Sequence, residues 1–71
     1  MTKKALQAGK KYDIKFLDNC KIKYLRNKIF NNVYIESVFS INGAFLAKAI
    51  FEDGRQRVIP GSKYIEILAS Y

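Results

Sequence analysis

The chain contains no histidine and no tryptophan, a single cysteine and a single proline. Without histidine the commonest general base is missing, and neither a Ser–His nor a Cys–His nucleophile pair can be built. The usual zinc-ligand sets go with it. One cysteine, Cys20, forbids an internal disulfide, so a domain this small must be held by packing or by self-association. Long apolar runs are also absent. The longest, Ala44 to Phe51, is interrupted by Lys48 and is far too short to span a bilayer. The glycines stand singly at 9, 43, 54 and 61, so no glycine-rich phosphate loop exists. The one adjacent pair of carboxylates, Glu52-Asp53, precedes Gly54 and neighbours Arg55 and Arg57, which is turn chemistry with a solvated ion pair. No catalytic residue, metal site or cofactor is expected, and the chain reads as a binding protein rather than an enzyme.

Acidic residues are scarce where the basic ones gather. Residues 1–35 carry nine Lys or Arg against Asp13 and Asp18, whereas residues 36–71 carry four of each sign. The whole net charge of +7 therefore lies in the first half. A field of one sign on a small domain attracts polyanions and speeds their encounter. Lysines outnumber arginines ten to three. Lysine is a point charge suited to phosphate, whereas bidentate reading of guanine belongs mostly to arginine. The unpaired Cys20 and a start unlike a signal sequence point to a reducing, cytoplasmic setting. The abundance of Lys, Ile, Asn, Tyr and Phe fits an AT-rich genome such as that of a phage or mobile element.

At 71 residues, 49% of them hydrophobic, the chain forms one ordered domain. Met1–Gln7 is compatible with a short helical turn ended by Gly9, or with a frayed terminus. From Lys11 the pattern has period two: Tyr12, Ile14 and Phe16 alternate with Lys11, Asp13 and Lys15, as in a half-buried strand. Lys21-Ile22-Lys23-Tyr24 alternates again. A three-residue loop, Asp18 to Cys20, would set Phe16 opposite Ile22 and Ile14 opposite Tyr24, keeping apolar residues on one face. That register would also set Lys15 opposite Lys23, a like-charge pair on a surface able to hold an anion.

Beyond an irregular connection through Arg26, Lys28 and Phe30 lies the strongest local signal. Val33–Ile41 and Ala44–Phe51 flank Asn42-Gly43, the preferred type I′ hairpin turn. Its register predicts pairs Phe39–Leu46, Ile35–Ile50 and Tyr34–Phe51. Asp53-Gly54 marks a further turn into Arg55–Ile59, Pro60-Gly61-Ser62 breaks the ladder, and Tyr64–Leu68 makes a last strand. Five short strands with tight turns define an all-β domain, a small barrel or sandwich.

Val58-Ile59-Pro60-Gly61-Ser62-Lys63-Tyr64-Ile65-Glu66-Ile67-Leu68 resembles the last two strands of an SH3-like small barrel. The resemblance implies a strand ending at the proline, one turn of 3₁₀ helix, and a short aromatic-bearing strand that closes the barrel. Sm-like barrels end similarly and often begin with a short helix. Domains of the SH3 type that bind proline-rich peptides use an acidic loop and a surface tryptophan. This chain has no tryptophan and its segment Asp18–Lys28 is basic, so that activity is not implied.

The expected function is nucleic-acid binding, to DNA or RNA, through the phosphate backbone with weak sequence preference. Lys11, Lys15, Lys21, Lys23, Arg26 and Lys28 would meet phosphates, Arg55 and Arg57 would add to them from another turn, and Phe30 would offer an exposed ring for stacking. Tyr24, by its alternation, is expected in the core. An acidic surface of a host protein is the alternative partner. The apolar character of both faces of Val33–Phe51 also allows assembly into a homo-oligomer.

Overall fold

Burial follows the period-two pattern into a single bent sheet. The computed structural model describes residues 5–71, with strands β1 (Lys11–Phe16), β2 (Ile29–Ile41), β3 (Ala44–Ile50), β4 (Gln56–Pro60) and β5 (Ile65–Ser70). All neighbours are antiparallel and their order is β4-β3-β2-β1-β5. The chain is thus all-β, as expected. Five strands about 4.8 Å apart would make a flat slab only about 10 Å thick with its facing layer. Extents of 29 × 25 × 25 Å show instead a sheet curled on itself. It is not closed. β4 and β5 remain its edges, which is compatible with a small barrel-like fold whose seam stays open.

Three bulges do the bending. The first half of β2 pairs β1 and the second half pairs β3. Opposite Asp13, β2 carries an extra residue, and Asn32 there takes a left-handed φ of 54°. Asparagine tolerates that conformation better than most residues. The Asp13 carboxylate accepts the Asn32 N–H at 3.1 Å, which ties the bulge to β1. A second bulge falls at Glu36, between the pairs Ile35↔Ala49 and Ser37↔Lys48. A third interrupts the pairing of β1 with β5.

The Glu36 bulge corrects part of the predicted register. Phe39 pairs Leu46 as expected, but Ile35 pairs Ala49 and Tyr34 pairs Ile50. The extra residue changes parity, so Ile35 and Val38 lie on the same, inner side as Ala49 and Ala47. The Asn42-Gly43 turn has positive φ at both residues, 51° and 80°, as type I′ requires. The meander from β2 through β4 stands as read. β4 ends at Pro60, and the final strand begins at Ile65 and runs beside β1.

The core consists of Leu6, Tyr12, Ile14, Phe16, Cys20, Leu25, Val33, Ile35, Ala47, Ala49, Phe51, Ile59 and Ile65, with no buried polar or charged residue among those described. Burying each large side chain contributes about 1.5–3 kcal/mol, which offsets ordering of the strands. The Tyr12 hydroxyl accepts the Gln7 N–H at 2.9 Å, so its burial leaves no orphan oxygen.

One expectation about helix lies mostly outside the described residues and another fails. Met1–Lys4 of the proposed N-terminal helix lie outside the described residues, and Ala5–Gln7 are not helical. The segment after Pro60 contains turns and bends but no 3₁₀ helix. A 3₁₀ turn occurs elsewhere, at Lys23–Leu25.

Candidate nucleic-acid interface

Residues 17–28 carry four of the eight candidate cations and depart most from the expected geometry. Lys21–Tyr24 is not a strand. The neighbour of β1 on that side is the start of β2, with Ile14 opposite Phe30 and Lys15 opposite Ile29. The like-charged facing of Lys15 and Lys23 therefore does not exist. On its other side Lys15 lies across from Glu66 of β5. The physical reason is burial at Cys20 and Leu25, whose spacing fits a turn and not an alternation. Successive i→i+3 bonds wind the segment: Cys20 N–H to Leu17 O, Leu25 N–H to Ile22 O and Lys28 N–H to Leu25 O, each 3.1 Å. Asn27, at a left-handed φ of 61°, turns the chain back, and its N–H donates to Phe16 O at 2.7 Å.

This winding leaves Lys21, Lys23, Arg26 and Lys28 exposed on one short connection. None of the four forms an ion pair with an acidic residue among those described, where the ion pairs are Lys48–Glu36 at 3.3 Å and Arg55–Asp53 at 3.4 Å. Arg26 donates from Nε to the carbonyl of buried Cys20, so its guanidinium also fastens the connection. Arg57 joins the group from β4. Its guanidinium donates to the Tyr24 hydroxyl and sits 5.0 Å from the centre of that ring, a cation–π geometry.

The remaining candidates separate from this group. Lys11 and Lys15 share the outer face of β1, four residues and so about 13 Å apart. Arg55 is engaged with Asp53, which accepts both its backbone N–H and its side chain. The two expected aromatic roles are exchanged. Phe30 is half-buried, edge-on to Phe16 with centroids 5.7 Å apart and stacked on Phe51 at 4.9 Å. It stands across from the buried Ile14, and this places it among the core rings. Tyr24 is 56% exposed. Its alternation with Ile22 misled because no strand pairs there.

Sequence reasoning also passed over Lys63, Tyr64 and Phe45, which border a cleft with Lys21. Only the left-handed φ of Tyr64, 67°, distinguishes that stretch, and it has no signature in the residues themselves. Comparison of the chain with family models, with curated proteins and with solved structures finds no match.

Proposed function

We propose that this chain is an SH3-like barrel module that binds nucleic acid through phosphates, with weak sequence preference and no catalytic activity. The barrel reading is supported by the strand order, by β4 ending at Pro60 and by β5 lying beside β1. The functional reading is carried by one observation: Lys21, Lys23, Arg26 and Lys28 project from a single connection with no carboxylate partner among the described residues. Arg57 extends this group, and Tyr24 presents a ring within it. Lys11 and Lys15 act as a weaker flank, since they lie on β1. Arg55, neutralised locally, and Phe30, packed inward, are set aside. In a reducing compartment such as the cytoplasm, Cys20 remains a thiol.

Binding of a random duplex and of a single strand across a salt series tests the reading. If five cations meet phosphates, log K on duplex DNA should fall with log salt at a slope of roughly −4.5. Affinity that is absent, or insensitive to salt, refutes it.

A second reading, docking on an acidic surface of a host protein, draws on the outer face of the meander. Tyr34 and Ile41 are exposed there, and phosphate binding has no use for them. Pull-down from lysate after nuclease treatment separates the two. One stoichiometric protein retained supports docking, and loss of every partner supports nucleic acid.

A further inference from the structure

The tip of the β2–β3 hairpin, the end of β4 and the segment leading into β5 enclose a cleft of about 430 Å³. That volume falls within the ~300–1,000 Å³ of small-ligand sites. Ile22, Leu46, Val58 and Pro60 supply apolar lining, Lys21 and Lys63 add two cations, and no acidic residue among those described borders the space. Two aromatic residues also line it. Phe45 lies against Gly61, where an added Cβ would come within 2.5 Å of the ring, and the Gly61 N–H donates to Phe45 O at 3.0 Å. Tyr64 holds its left-handed backbone while its carbonyl accepts the Leu17 N–H at 2.9 Å. Such a conformation is unfavourable for a bulky residue and persists where surrounding structure imposes it.

Resting on the nucleic-acid reading above, we infer that this cleft receives one unpaired base of a single strand, with Lys21 and Lys63 on its flanking phosphates. Aromatic walls suit the flat face of a heterocycle, and every base has one. Asn42 and Ser62 border the same space and offer donors and acceptors for a base edge. An aliphatic side chain from an acidic peptide would satisfy the lysines but leave those two polar groups without partners. A duplex keeps its bases stacked and paired, so the cleft confers preference for single strands.

The test uses the full chain with a fluorescent 15-residue oligothymidylate and a random duplex of the same length, followed by anisotropy. The unaltered protein should bind the single strand at least fivefold more tightly. Phe45→Leu should weaken single-strand binding about tenfold, within the range for loss of one base–aromatic stack. Duplex affinity should stay unchanged. Lys63→Ala should reduce the single-strand salt slope by about 0.7. Amide NMR on the unaltered protein guards against a folding artefact: oligothymidylate should shift Phe45, Lys63 and Tyr64 resonances. Equal affinity for duplex and strand, or unshifted cleft amides, overturns the inference while nucleic-acid binding stands. Absence of binding to both overturns the underlying reading as well. A labelled peptide of alternating Glu and Leu that shifts the cleft amides when oligothymidylate does not would assign the cleft to a protein partner and overturn the inference.

Discussion

The β2–β4 meander and the 17–28 connection are both short, turn-rich and dotted with apolar residues, yet they are specified differently. In the meander each turn is written in two adjacent residues. Asn42-Gly43 supplies two positive φ values at the tip, and its flanks can zip in only one register until a bulge intervenes. In the connection the shape follows from a distant event, the capture of β1 by the first half of β2. Once that edge is occupied, Ile22 and Leu25 can be buried only by winding across the end of the sheet. Local chemistry dictates the first region and competition for a partner the second.

The sharpest way to break this contrast is to remove an anchor of the connection. Leu25 is 2% exposed and is the only residue of the 3₁₀ turn in the core. Leu25→Ala should cost about 2–5 kcal/mol, read from urea unfolding. A cost under 1 kcal/mol would mean that the connection is not held by burial.

Two glycines probe the meander and its exit by different physics. Gly61→Ala forces a methyl group into the Phe45 ring, and such overpacking should cost about 1–3 kcal/mol. Gly43→Ala meets nothing within 4 Å but places a side chain at φ 80°, with a cost of about 1 kcal/mol from backbone strain alone. Thermal unfolding of the pair, with Phe45→Leu added to each, separates the causes. The larger side chain at 45 matters to Gly61→Ala and is irrelevant to Gly43→Ala.

A smaller effect is expected at the contact that joins the two regions. Arg57→Lys keeps the charge but loses the planar group over Tyr24. At this exposed site the loss should be about 0.5–1 kcal/mol in stability. Tyr24→Phe retains the ring and loses only the hydrogen bond. A double-mutant cycle on these two variants measures the hydrogen-bond part of the coupling, and additive effects would show that this bond contributes nothing.

The smallest prediction concerns pH. The Tyr71 hydroxyl donates to Asp13 Oδ2 at 2.6 Å, and that bond raises the phenol pKa above its ordinary 10. Some desolvation and the Asp13 charge push the same way. A raised pKa in the fold gives a contribution to stability that is present below the unfolded value and lost as pH climbs through the folded one. Asp13→Asn should return the phenol titration, followed by ultraviolet absorbance, towards the ordinary value.

Much of the architecture was legible in advance. The alternation of Tyr12, Ile14 and Phe16, the Asn42-Gly43 turn and the break at Pro60 each state their structure within a few residues. The bulges were not legible, because Glu36 looks like any outward residue of a strand, and only the bending of the whole sheet accounts for its place out of register. Among the candidate cations, Lys21, Lys23, Arg26 and Lys28 do lie together, though on a wound segment instead of a hairpin. The pairing of Arg57 with Tyr24 spans 33 positions and carries no local pattern at all. Phe30 and Tyr24 exchanged places for the same reason, since their surroundings depend on which strand claims β1.

Cys20 sits fully enclosed near the start of the basic connection, immediately before Lys21. An alkylating reagent can reach its sulfur only when that segment lifts from the sheet. The labelling rate is therefore a clock for local opening, separate from global unfolding. If polyanions settle on the lysines around it, the clock should slow in proportion to occupancy, and the thiol becomes a reporter already installed beneath the surface it monitors.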